Sequence, residues 1–239
     1  MVSLVALSGC VDERSFYIKA NRAKCTPQNA SSNSSGGSKD ELQLGAGVLD
    51  ISEHGLSEGY RLFPTLVNDL LSSQQVDDEP ERNNLRLKRF DVELALGQVG
   101  RLNQIPSALT SFSVHASGFI PPGGVLQIDG VKILPDDLLD HIKRLPRGGR
   151  DLIVAKIQAV ADHNGSELKS VEFEYPIEIC REKNCLVNFI PNCKDALAAT
   201  DPIPLNACGL SQDAPTTCCD LSFGTGEKTT TFRTCLTSK

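Results

Sequence analysis

The sequence predicts a mainly β fold: a single immunoglobulin-like antiparallel β-sandwich with one short helix, followed by a disulfide-rich, loop-rich C-terminal extension. Three observations carry this. Between residues 41 and 180, apolar and polar residues alternate in short runs, the period of half-buried strands. Gly, Pro and Asn-Gly turn signals separate the runs, and such spacing is that of a sandwich. Seven of the nine cysteines lie at residue 180 or beyond, where the alternation fades and Pro191, Pro202, Pro204 and Pro215 interrupt the chain. That region reads as held by disulfides rather than by a core.

The elements follow in chain order. Residues 10–40 read as a polar tether, and Asn29-Ala30-Ser31-Ser32-Asn33-Ser34-Ser35-Gly36-Gly37-Ser38 has the composition of a flexible linker. Val48-Leu49-Asp50-Ile51 and the apolar stretch from Tyr60 to Leu71 read as the first strands of the 41–180 domain. Leu85 to Leu94 alternates with one slip near Lys88-Arg89, as a β-bulge does. Ser111 to Ile120 is a further strand, stopped by Pro121-Pro122-Gly123-Gly124. A helix is predicted over Pro135–Leu145: Pro135 suits its first turn, Asp136 and Asp137 its positive end, Lys143 and Arg144 its negative end. Leu138, Leu139, Ile142 and Leu145 form its apolar stripe.

The strongest local prediction is a hairpin from Asp151 to Cys180, turning at His163-Asn164-Gly165-Ser166. In its second strand Val171, Phe173, Tyr175, Ile177 and Ile179 share one face, and Glu172, Glu174 and Glu178 the other. Residues 181–239 form the extension.

Charge and composition narrow the function classes. Net charge is -6 and the basic residues are scattered, so no face suits a phosphate backbone and nucleic acid is excluded as a partner. With no Trp and three Tyr, an aromatic sugar-stacking platform is disfavoured. No segment approaches the ~20 apolar residues of a membrane-spanning helix. Nothing in the sequence calls for a cofactor.

The first ten residues point to an address. Met1 to Leu7 is a short apolar run, and it closes on Leu7-Ser8-Gly9-Cys10. This resembles the lipobox of bacterial lipoprotein precursors. The layout of lipobox, Ser/Gly tether, β domain and cysteine-rich tail is similar to that of uncharacterised Gram-negative envelope lipoproteins. The resemblance implies a signal peptide over residues 1–9, lipidation of Cys10 and a membrane anchor at the head of the mature chain. In that family the residue after the modified Cys steers sorting, and Val11 implies the outer membrane.

With Cys10 assigned to lipid, eight cysteines remain as disulfide candidates: Cys25, Cys180, Cys185, Cys193, Cys208, Cys218, Cys219 and Cys235. An even number suits an oxidising compartment. Seven lie in the tail, so parity predicts that Cys25 bridges the N-terminal segment to it. Vicinal Cys218 and Cys219 are expected to bond to different partners.

Candidate chemistry is thin. Gly55-Leu56-Ser57-Glu58-Gly59 matches the G-x-S-x-G nucleophile elbow, but that motif needs a strand turning into a helix. Tyr60-Arg61-Leu62-Phe63-Pro64 reads as a strand instead. Cys180-x4-Cys185 has loose zinc-pair spacing, without a second pair or a later His. His54, His115, His141 and His163 share no ligand spacing, and no acidic group has the oxygen pattern of a calcium loop. Catalytic and metal residues are therefore predicted as none. The expected function is a non-catalytic, lipid-anchored envelope protein that binds an envelope protein or a glycan, or serves a structural role. The alternatives are an exported serine hydrolase using Ser57 and an extracytoplasmic metal-binding module.

Overall fold

A computed structural model describes residues 15–22, 43–52, 59–72, 81–96, 105–144, 150–181, 185–198, 212–223 and 230–235. The fold is mainly β. One sheet runs β2 (Gln43–Leu44), β1 (Phe16–Arg22), β5 (Pro64–Asn68), β8 (Gly124–Gln127). The larger sheet runs β3 (Gly47–Asp50), β12 (Phe173–Cys180), β10 (Arg150–His163), β6 (Leu85–Leu96), β7 (Ser111–Ile120), with β11 (Ser166–Lys169) also paired to β10. β4 (Tyr60–Leu62) pairs with β9 (Val131–Leu134), and β13 (Val187–Ile190), β14 (Thr216–Phe223) and β15 (Thr230–Cys235) form a third sheet in the tail. Two α-helices, α1 (Asp136–Arg144) and α2 (Cys193–Ala198), and a 3-10 turn at Ser107–Leu109 complete the described elements.

Alternation places the core. Along β10, Ile153, Ala155, Ile157, Ala159 and Ala161 are buried, and Tyr175, Ile177 and Ile179 of β12 lie beside them. In β6 the buried set changes parity, from Leu85 and Leu87 to Phe90, Val92 and Leu94. The extra residue is Lys88: Leu87 and Arg89 face the consecutive residues Ala161 and Val160. The predicted slip is thus a bulge that keeps both halves of one strand facing inward. Leu138, Leu139 and Ile142 of α1 join the same continuous core.

The hairpin turns where the sequence places it. His163 pairs with Ser166, and Asn164 and Gly165 take φ values of 53° and 82°. These are the positive angles of a two-residue type I′ loop, which glycine enters without strain. The returning strand is not continuous. At Ser170 a second bulge separates β11 from β12. Ser170 Oγ accepts the Ala159 N–H at 2.9 Å, and its own N–H donates to Ala159 O at 2.8 Å. The exit from this bulge sends the Val171 N–H to Phe16 O at 3.1 Å, tying β1 to the hairpin.

Four expectations need correcting. Residues 10–40 are not all tether: Phe16, Ile18 and Ala20 alternate, and β1 buries them against β5. The polar composition around this short run hides it. The sheets are not purely antiparallel, because β3 runs parallel to β12 and β13 parallel to β14. Helix α2 in the tail adds to the single helix expected. Val171 turns away from the inward row of Phe173, Tyr175, Ile177 and Ile179 because the Ser170 bulge intervenes.

Candidate functional site

Two polar constellations stand out, one closed and one open. The closed one lies where the tail meets the larger sheet. Asn21 Nδ2 donates to Tyr175 Oη at 2.8 Å, and the Tyr175 and Tyr60 hydroxyls lie 3.0 Å apart. Tyr60 Oη donates to the Asp213 carboxylate at 2.7 Å. Asp213 also accepts the Val48 N–H at 3.0 Å and Gln212 Nε2 at 3.1 Å. The protons align in one direction, from Asn21 through Tyr175 and Tyr60 to the carboxylate.

Backbone geometry serves this chain of bonds. Asp213 adopts φ 61°, a left-handed conformation that a short polar side chain tolerates. Gly47 lies against Tyr60 so closely that a Cβ there would overlap the hydroxyl. Gln212 grips β4 through both amide atoms, accepting the Arg61 N–H and donating to Arg61 O, each at 2.9 Å. Burial raises the Tyr60 phenol well above its ordinary value, and the neighbouring Asp213 charge adds to this. Burial likewise pushes Tyr175 up to about 12. Asp213 is raised by burial, against the opposing pull of its hydrogen bonds. With both phenols and the amides facing inward, the network acts as a clasp between tail and sheet.

A second clasp sits beside it. Asp50 is fully buried and accepts the N–H groups of Ser52, Leu186 and Val187 at 2.9, 2.9 and 3.0 Å. It thereby ties β13 to the end of β3. Arg181 pairs with Asp151 and donates to Ile142 O.

The open constellation is a groove of about 490 Å³ on the outward face of β6, β7, β10 and β11. Arg89 is its centre. Its guanidinium reaches Glu167 through two bonds, 2.7 and 3.0 Å, and Asp91 through Nε at 2.9 Å. Ser113 Oγ donates to Asp91 at 2.8 Å. Lys169 approaches the same carboxylate, and Lys156 lies 3.5 Å from Glu172 and 3.7 Å from Glu174. Burial pushes Asp91 up, but Ser113 and Arg89 outweigh it and leave its carboxyl below the usual range. The hydrogen bond from Arg89 lowers Glu167, and the Glu172 charge raises Lys156. Interleaved charges on a fixed sheet offer a polar ligand both donors and acceptors.

The sequence-predicted residues are distributed as follows. Cys10, Cys25, Cys208, Ser57 and His54 lie outside the described residues. Cys180 bonds to Cys185, closing the end of β12, and Cys193 bonds to Cys219, joining α2 to β14. Cys218 is also disulfide-bonded and sits opposite Cys235 in the β14–β15 register. The vicinal pair therefore takes separate partners. His115, His141 and His163 fall on β7, α1 and the end of β10. Among the described residues, no group of three or more His, Cys, Asp or Glu is placed to hold a metal. The chain after Ser57 resumes as strand β4, whereas a nucleophile elbow continues as a helix.

Sequence reasoning missed Asp213, Gln212 and Asn21. They are isolated polar residues with no motif around them, and only the packed tail shows their role. Together the fold and bridges define a mainly β, disulfide-bonded protein. Compared with known proteins, the chain matches no family model, no curated sequence and no solved structure. Among the described residues no helix is long and apolar enough to cross a membrane.

Proposed function

We propose that this chain is a non-catalytic, lipid-anchored envelope protein that binds an envelope partner through the charged face of its larger sheet. In this reading the signal peptide ends at Gly9, lipid on Cys10 holds the protein at the outer membrane, and the fold is an immunoglobulin-like β-sandwich. The observation that supports it best is the pairing of tail cysteines, Cys180 with Cys185 and Cys193 with Cys219, as an oxidising compartment requires. The Leu7-Ser8-Gly9-Cys10 leader supplies the matching export route. A glycan or a polar protein surface suits the Arg89 groove, because its donors and acceptors are held in place before binding.

The test is metabolic labelling with a fatty acid in a Gram-negative host, followed by membrane fractionation. Label on the parent protein and its loss in Cys10→Ala, with release from the membrane, is the expected result. Retention of Cys10→Ala in the outer membrane would overturn the anchor. For the groove, Arg89→Ala should abolish retention on immobilised envelope glycan or protein extracts while leaving the thermal midpoint nearly unchanged, since ion pairs on a solvent-facing surface stabilise little.

A further inference from the structure

Among the described residues, five large apolar side chains are left exposed: Leu71 (84%), Val125 (58%), Phe119 (53%), Leu152 (48%) and Val171 (42%). Single exposed apolar residues are ordinary. Four of these five, however, ring one end of the molecule, and Asn68 marks that end. Its Nδ2 donates to Asn83 O at 2.9 Å and Ile120 O at 3.0 Å, while its backbone lies opposite Phe16 and Gly124. Leu71 lies three residues beyond Asn68. Phe119 precedes Ile120, Val125 follows Gly124, and Val171 donates its N–H to Phe16 O. Leu152 is apart from them, opposite Glu178 near the other end of β10.

The chain also enters the fold at this end. Ser15 O accepts the Asp69 N–H at 2.7 Å, immediately before β1 begins. Cys10 is five residues upstream of Ser15 in the sequence. Five residues span at most roughly 17 Å when fully extended. A lipid on Cys10 therefore cannot hold this end far from the headgroups. Phe119 is moreover the cross-strand neighbour of Arg86, which puts an aromatic beside a cation, a pairing suited to an anionic interface.

We propose that this end is a membrane-contact surface, with Leu71, Phe119, Val125 and Val171 seated against the bilayer that holds Cys10. The inference rests on the lipid-anchor reading and extends it from a leash to a fixed orientation. Apolar contact adds a second attachment to the acyl chains, and attachment through two signals is what makes anchoring stable.

The chain has no Trp, so each introduced one is a sole reporter. Acylated full-length Leu71→Trp, Phe119→Trp and Leu152→Trp would be placed in mixed phosphatidylcholine–phosphatidylglycerol vesicles with and without bromine on the acyl chains, and acylation checked by intact mass. Bromine is expected to quench emission from Trp at positions 71 and 119 and spare position 152. If the protein is acylated and vesicle-bound but neither of the first two is quenched, the contact surface is overturned and the anchor stands. If Cys10 carries no lipid, the anchor fails and the contact falls with it. Emission that shifts with protein concentration, without bromine quenching, would assign this end to a second copy of the chain and overturn the membrane contact.

Discussion

Asp213 shows how one carboxylate can govern a junction, and its titration has a definite sign. Its folded value is raised, so protonation favours the folded state. That contribution is complete below the unfolded value of about 3.9 and is lost as pH rises through the folded value. Asp91 and Glu167 are lowered, so their contributions are present above their unfolded values and are lost as pH falls through the folded ones. Asp213→Asn removes the first effect alone. It should cost about 1–3 kcal/mol at neutral pH by disturbing buried bonds. Its stability gap to the parent should narrow as pH rises from about 3 to 7 in denaturant melts; a gap that widens would refute the assignment. The phenols offer a second check. Tyr17, Tyr60 and Tyr175 are the only tyrosines, and all three are raised. Ultraviolet titration of the native protein should therefore show the two clasp phenols, Tyr60 and Tyr175, ionising above the ordinary value of about 10. More than one phenolate forming there would mean that the clasp is open, since Tyr17 lies outside it.

Bulges do the positioning among the elements. Lys88 is exposed and buries nothing, yet its presence lets Leu85 and Leu87 share a face with Phe90, Val92 and Leu94. Deleting it returns β6 to strict alternation and drives one half outward. Each such side chain contributes about 1.5–3 kcal/mol by burial, so the deletion should abolish the cooperative melt, whereas Lys88→Ala should be nearly neutral. At the other bulge, Ser170→Ala leaves the buried Ala159 N–H without its acceptor. A loss of about 1–3 kcal/mol is expected, with faster amide exchange at Ala159. The Lys88 slip is legible in the sequence because five inward residues surround it. The Ser170 break is not, since its cause is a hydroxyl reaching back across the hairpin and a bond to β1, more than 150 residues earlier.

For the molecule as a whole, the described residues of the tail are joined to the domain by polar clasps and a bridge, and none of them belongs to the main core cluster. Its apolar clusters are small: Val187 with Cys218, and Cys193 with Cys219 alongside Ile190 and Leu221. The main core is one continuous body reaching from β1 to β12. Disulfides in small exported domains typically stabilise by about 2–5 kcal/mol. Reductant should therefore expose the amides of β13–β15 to hydrogen exchange while β6, β10 and β12 stay protected. Simultaneous loss of both would show that the tail is part of the main cooperative unit.

Alternation, turn chemistry and cysteine placement made the β class, the β10 hairpin, helix α1 and the stapled tail readable from the sequence, because each depends on residues near one another along the chain. The clasp of Asn21, Tyr60, Tyr175 and Asp213 and the ring of apolar side chains around Asn68 were not readable. Bonded members of the clasp lie up to 154 residues apart, as Asn21 and Tyr175 do, and no local pattern marks residues that only the folded sheets bring together. The parallel pairings of β3 and β13 were hidden for the same reason: strand direction is set by where the long connections lead the chain, not by the side chains of the strand.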